Sequence, residues 1–297
     1  MRSTWKPFRL EISRPRIGVI APHSILATAL IARLGARFEL STFGRRGASV
    51  SFDLASFESG ISPSVPMDVI VNCGASFGGK EFISWREGIA TNVIGAVNVL
   101  ELALNGGARH IVNISSVSAM PENSDRDLSG YGLSKLQAEA WIGLGARKAG
   151  LRTTNLRLGP IYTDDESAAR HQPFLYAVVR KAAVGSMFLL AGTNDPLRNY
   201  LHVEDAAGAI ERVINMELEG SFDILARLSY RTTEIIELAY AAFGAKAHIE
   251  RDSSRPDLPE VYWPDPEPSF KALGWWPSVE LSDGLKRVRS SLYGHTA

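Results

Sequence analysis

A single cysteine, Cys73, occurs in the 297 residues, so no internal disulfide can form and the fold must rest on its core. Charge of one sign is not in excess either: 32 Lys and Arg balance 32 Asp and Glu. That removes the basic surplus expected of a nucleic-acid binder or of a protein held on an anionic membrane. No apolar run reads as long enough to cross a bilayer, and Met1 to Arg16, though basic, lacks the apolar core of a secretory signal. The expectation is a cytoplasmic protein with no membrane and no nucleic-acid partner. No metal site is assigned.

What is present is an alternation of short apolar runs and helical patterns, beginning at Arg16 after a lead-in over residues 1–15 that is expected to be poorly ordered. Strands are expected at Ile17 to Ile20, Phe38 to Phe43, Ser49 to Phe52, Val69 to Asn72, His110 to Ile114 and Thr153 to Leu156. Helices are expected at Ile25 to Leu34, Ile89 to Leu104 (closed by Asn105-Gly106-Gly107) and Gly132 to Lys148. Such alternation implies α/β architecture, a doubly wound parallel sheet with ligands at the strands' C-terminal ends. After Gly159 the rhythm breaks into Pro-, Asp- and Trp-rich segments among helices at Phe174 to Val184, Val203 to Glu217 and Thr232 to Phe243. The expected division is a nucleotide-binding domain over residues 16–160, rejoined by 198–217, and a smaller interleaved substrate region over 161–197 and 218–297.

Glycine is missing where a dinucleotide-binding turn most needs it. Ala21, Ser24 and Ala27 have the three-residue spacing of the glycines in a GxxGxxG loop, and a Cβ is costly wherever φ must be positive. The second strand ends in Thr42-Phe43-Gly44-Arg45-Arg46. An acidic residue there would bind the ribose hydroxyls of NAD, whereas Arg45 and Arg46 suit the 2′-phosphate of NADP, the alternative being a solvated surface pair.

The stretch Ser129-Gly130-Tyr131-Gly132-Leu133-Ser134-Lys135 carries the chemistry. Tyr131 and Lys135 are four apart on an expected helix and share a face. An ammonium beside the phenol favours the phenolate, letting Tyr131 exchange a proton with an alcohol or carbonyl. The preceding strand runs into Ser115 and Ser116, a hydroxyl able to hold the reacting oxygen.

In this order, and over nearly the whole chain, these segments resemble the extended short-chain dehydrogenase/reductases, the NAD-dependent epimerase/dehydratase family, of the nucleotide-sugar modifying type. Asp68-Val-Ile-Val-Asn72-Cys-Gly-Ala75 resembles the family's fourth strand and cofactor-contacting turn, and Thr91-Asn92-Val93-Ile94-Gly95 the segment whose Asn supports the active site. Arg157-Leu-Gly-Pro-Ile-Tyr162 lies where the family has a strand ending beside the nicotinamide. Arg198-Asn-Tyr-Leu-His-Val-Glu-Asp205 and Leu273-Gly-Trp-Trp-Pro277 are similar to its later signatures. The resemblance implies a Rossmann domain and a homodimer built through a four-helix bundle. It makes Tyr131 the acid/base, Lys135 the holder of the cofactor ribose, and Ser116 the group polarising substrate, with Ser115 its close neighbour. It places Ala21, Ser24, Ile25, Asp53 and Leu54 on the cofactor, together with Cys73, Gly74, Ala75, Asn92, Ser115 and Leu158. Phe77, Ser116, Val117, Arg198, Arg255 and Asp257 fall on the substrate side.

Arg198 and Arg255, the latter in Arg255-Pro256-Asp257-Leu258-Pro259 before Tyr262 and Trp263, match positions that meet the diphosphate in sugar-nucleotide enzymes. Arginine's planar fork suits phosphate oxygens. The family's dehydratases carry Asp-Glu after the catalytic hydroxyl and its decarboxylases a nearby Glu; here stand Val117 and Ser118. That leaves a 4-epimerase or 4-ketoreductase using NADP or NAD on a nucleotide sugar. The chain departs from the pattern at the glycine loop, at Ala119-Met120-Pro121 and at Pro160, in place of a substrate-contacting Asn. Two other readings stand beside it: a non-catalytic member binding nucleotide or a protein partner, and an NADP-linked reductase of a non-sugar ketone.

Overall fold

The computed structural model describes residues 14–58, 66–78, 81–120, 122–123 and 129–294. The expected lead-in therefore lies outside the described residues except for Arg14 and Pro15. The first half runs β1 (Arg16–Ile20), α1 (Ile25–Leu34), β2 (Glu39–Gly44), β3 (Val50–Ser51), β4 (Val69–Asn72), α2 (Phe82–Gly88), a π-helical turn (Ile89–Ile94), α3 (Gly95–Asn105), β5 (His110–Ser116), α4 (Gly130–Ala149) and β6 (Arg152–Leu158). The second continues with β7 (Ile161–Tyr162), α5 (Pro173–Ala183), β8 (Phe188–Ala191), β9 (Leu197–Arg198), β10 (Leu201–His202), α6 (Val203–Met216) and β11 (Gly220–Ile224). It ends with β12 (Tyr230–Arg231), α7 (Thr232–Ala242), β13 (Ile249–Asp252), α8 (Glu267–Leu273) and α9 (Leu281–Tyr293).

The seven-stranded parallel sheet has the order β11-β6-β5-β4-β1-β2-β3. Strand order reverses between β1 and β4, so the connections leaving these two strands diverge and open a crevice at their C-terminal ends. Both sheet faces are covered, which is why the central strands β1 and β4 read as near-continuous apolar runs. On one face α1 and α6 bury Leu30, Leu34, Ala206 and Ile210 against Ile17, Val19 and Val71. On the other, α3 and α4 bury Val99, Leu102, Ala138 and Ile142 against Ile20, Ile70 and Ile111. A row of asparagines crosses the sheet in register: Asn72 donates to Asn113 at 3.1 Å and Asn113 to Asn155 at 3.0 Å. Each buried amide thus answers its neighbour, and Asn72 Oδ1 also accepts from Gly74 N at 3.2 Å, shaping the turn into the crevice.

Two departures from the sequence reading have physical causes. The return to the sheet goes beyond residue 217, since Gly220–Ile224 forms β11 on the β6 edge. Its five residues, with Asp223 inside, are too short and polar to show a strand period. The helix expected from Ile89 starts at Phe82, and the continuous span Phe82–Asn105 has the length and apolarity of a membrane-crossing helix, contrary to the reading that no run was long enough. Half of its most apolar stretch is buried inside the protein, as its layer on the sheet requires. A second cluster joins α5, α7 and α9 through Leu175, Val179, Ile235, Ile236, Leu285 and Val288.

Candidate active site

The C-terminal end of β5 and the first turns of α4 meet at the crevice. Ser129 caps α4, its hydroxyl accepting from Gly132 N at 3.0 Å. A Cβ on Gly132 would run into the Ser118 carbonyl oxygen, so glycine lets α4 lie directly against the turn that follows Ser116. Tyr131 is thereby brought beside Ser116, close enough for the serine hydroxyl to favour the phenolate. Ser116 Oγ is held in turn by Ser118 N at 3.1 Å. One turn along α4, Lys135 is buried at 3% exposure and donates to the Ile114 carbonyl at 2.7 Å.

The electrostatics differ from the sequence expectation. Burial pushes the Tyr131 phenol up to about 12, with the Ser116 hydroxyl opposing it. Lys135 contributes no lowering here, because its ammonium is turned to Ile114. Burial also lowers Lys135 to about 8, against the charges of Cys73 and Glu139. The resting site therefore holds a protonated tyrosine. Phe77 stacks on Tyr131 with ring centroids 5.1 Å apart and itself meets His171 at 4.3 Å. Sequence reasoning missed His171: a lone histidine outside every motif gives no signal.

Three residues assigned to the cofactor from the resemblance do other work. Asn92, at the π-helical turn, accepts from Ser76 N at 2.8 Å and donates to Ser76 O at 2.7 Å and Ser134 Oγ at 2.8 Å. Those bonds tie the loop after β4 to α4 and commit its amide to protein groups. Ser115 donates to Glu139 at 2.5 Å, which leaves Ser116 as the serine facing Tyr131. Ile25 packs against the sheet core. Cys73 is buried beside Lys135, its thiol pushed up to about 12 by desolvation, and Leu158 is buried next to Ser116 in strand register.

A cleft of about 520 Å³ opens at the ends of β1 and β2, lined by Ala21, Ser24, Arg45, Arg46, Asp53, Leu54, Gly74 and Ala75. Pro22, His23, Gly44 and Thr91 also line it, positions between motif residues that no pattern marked. Arg45 and Arg46 are exposed at its edge, and Ser24 caps α1 by accepting from Ala27 N at 3.3 Å. Asp53 bends its own loop, accepting from Ala55 N at 3.0 Å. Ala21 adopts φ of 56°, in the left-handed region, where the loop's first glycine would stand. The backbone here adopts at an alanine the conformation that glycine favours. Ala21→Gly is expected to stabilise the protein by about 1 kcal/mol, read as a rise in the thermal midpoint; an unchanged or lower midpoint would mean the alanine is not strained.

On the substrate side, Arg198 is half-buried and donates to the Leu197 and Pro259 carbonyls, both at 2.8 Å. The structure thus joins Arg198 to the segment carrying Arg255, which is itself exposed. Asp257 does not face the site, since its carboxylate accepts from Thr193 N at 2.6 Å and Asn194 N at 3.3 Å and closes that loop. Val117 is likewise withdrawn, buried with Met120 and Leu225 under Trp263.

A seven-stranded parallel sheet with its crevice at the β1/β4 reversal, and Ser116, Tyr131 and Lys135 together at the end of β5, define a Rossmann-like α/β protein. The chain belongs to the NAD dependent epimerase/dehydratase family, whose model matches residues 52–224, more than half its length. It is 26% identical over 209 residues to a putative UDP-glucose 4-epimerase of Methanocaldococcus jannaschii, covering 66% of this chain and 67% of that protein. It is 23% identical over 214 residues to UDP-glucuronic acid decarboxylase 5 of Arabidopsis thaliana, covering 66% and 61%. The fold matches the crystal structure of UDP-N-acetylglucosamine 4-epimerase from Bacillus cereus with a TM-score of 0.76 at 20% identity, over 94% of this chain and 100% of that one.

Proposed function

We propose that this protein is an NAD(P)-dependent oxidoreductase acting at a sugar carbon of a nucleotide-diphosphate sugar, as a 4-epimerase or 4-ketoreductase. The observation that carries the proposal is the meeting of Ser116, at the end of β5, with Tyr131 and, one helical turn on, buried Lys135, next to the turn whose Gly74 and Ala75 line the β1/β2 cleft. The cleft fits the adenosine diphosphate part of a dinucleotide: it has a helix N-terminus, apolar walls and two free-standing guanidinium groups at its edge. When bound, the nicotinamide would supply or receive hydride. Tyr131, protonated at rest, has the form that gives a proton to a carbonyl, and in the opposite direction the phenolate takes one from an alcohol. Ser116 holds the reacting oxygen. Lys135 would turn to the ribose, and its ammonium would then favour the phenolate. Arg198 and Arg255 stand for the diphosphate.

The decarboxylase relative does not set the reaction, because Val117 and Ser118 follow Ser116 where that chemistry would want a carboxylate. We also propose a cytoplasmic homodimer: Val97 and Leu104 on α3, and Trp141 and Leu144 on α4, leave an exposed apolar strip on the outer helices. Titration of the purified protein with NADPH and NADH tests the cofactor half of the proposal. NADPH is expected to bind more tightly, and Arg45→Ala with Arg46→Ala to abolish the preference. Equal affinities, or NAD retained through purification, would overturn the arginine assignment, and binding of neither would overturn the oxidoreductase reading.

A further inference from the structure

On α4 a third residue follows Tyr131 and Lys135 at the same helical spacing, Glu139, and it is 8% exposed. Its carboxylate is shared by two adjacent strands. Ser115 Oγ donates to Oε1 at 2.5 Å, and Arg157 donates to Oε1 from Nε at 3.0 Å and to Oε2 from Nη2 at 2.7 Å. Ser115 and Arg157 are register partners on β5 and β6, so one side chain clamps the ends of both strands to the helix. A carboxylate taken out of water is costly even when paired, and one pair of apolar residues would join helix to sheet as well. This charge also lies immediately behind the lysine of the site.

We infer that Glu139 is a positioning residue of the active site, holding α4 to the ends of β5 and β6 and standing as the paired charge one helical turn behind Lys135. The groups that bear on the charge of Lys135 are few. Lys135 is faced by Glu139 on its own helix, by the Ile114 carbonyl on β5 and by Cys73 after β4. Arg157 on β6 neutralises Glu139 directly, and Asp223 on β11 and Glu122 draw on Arg157 in turn. Cys73 and, after it, Glu139 raise Lys135 against the desolvation that pulls it down to about 8, and Glu139 is the carboxylate of the two. Arg157 thus has two effects: it makes the buried carboxylate tolerable, and it moderates the field on the lysine. Removing the Glu139 charge while keeping its shape leaves desolvation opposed by Cys73 alone, so the ammonium is lost at lower pH.

The test is an NMR titration of the full chain carrying ¹³Cε-lysine, with the Lys135 signal assigned by its loss in Lys135→Met. In Glu139→Gln, Lys135 is expected to titrate about one pH unit lower than in the unaltered protein, as an opposite charge at close range requires. An unchanged titration in a folded Glu139→Gln protein overturns the inference. Should that variant fail to fold, Glu139→Leu with Arg157→Met replaces the pair by apolar residues of similar size, which often preserves stability. There a smaller downward displacement is expected, because the opposing charge of Arg157 is removed with that of Glu139, and Lys135 titrating no lower than in the unaltered protein would show Glu139 to be structural only. The consequence for turnover rests on the proposed function, but the lysine titration does not, so the two can fail separately.

Discussion

Replacing Tyr131 by phenylalanine is expected to lower turnover by about 10²–10⁴-fold while cofactor affinity stays unchanged. Every other contact of the ring survives: the stack on Phe77 is made by the ring itself, and α4 keeps its Ser129 cap. What is lost is the hydroxyl beside Ser116, the group proposed to move a proton at the reacting oxygen. Isotope exchange or product formation under single-turnover conditions reads the loss directly, and cofactor titration reads what is retained. A variant as active as the parent would remove Tyr131 from the mechanism. A variant that lost cofactor binding equally would place the phenol in binding instead of proton transfer.

Gly132→Ala should have the second largest effect, through geometry alone. The added methyl would meet the Ser118 carbonyl oxygen, a backbone atom that cannot swing aside. Either α4 or the turn after β5 must shift, and both carry the site: Tyr131 on one, Ser116 on the other. A displacement near 1 Å between them is expected to reduce turnover by about 100-fold, with destabilisation of about 1–3 kcal/mol. Gly143, in the same helix, supplies the control. A Cβ there meets only Arg147 Nη1, at 3.3 Å and at the end of a flexible side chain. Gly143→Ala is therefore expected to stabilise α4 by up to about 1 kcal/mol with turnover intact. Equal effects of the two substitutions would mean that the approach of Gly132 to Ser118 does not fix the site.

Much of this architecture was legible because it depends on period and order. The buried parallel strands announce themselves as short apolar runs, and Ser116, Tyr131 and Lys135 stand out because their chemistry demands a strand end and a single helical face. The unread part depends on long-range packing. That Ser115 turns to Glu139 while Ser116 meets Tyr131 follows from the placement of β6, whose Arg157 draws the carboxylate. Asn92 matched the family segment, yet its amide is consumed by Ser76 and Ser134, partners brought by tertiary folding. Asp257 reads as a substrate contact only until Thr193 and Asn194, more than sixty residues earlier, are seen to claim it. The glycine-poor loop is the instructive case: its residues argued against a cofactor turn, while the backbone at Ala21 adopts the conformation that glycine favours.

Hydride exchange at a nucleotide-linked sugar is the role proposed for Ser116, Tyr131 and Lys135. Its most direct test is to load the protein with oxidised nicotinamide cofactor, add a panel of UDP-, dTDP- and GDP-hexoses, and follow the absorbance of the reduced nicotinamide. Reduction is expected with at least one nucleotide sugar, and none with the same sugar in Tyr131→Phe. Cofactor that binds but is reduced by no member of the panel, or is reduced equally in Tyr131→Phe, would contradict it.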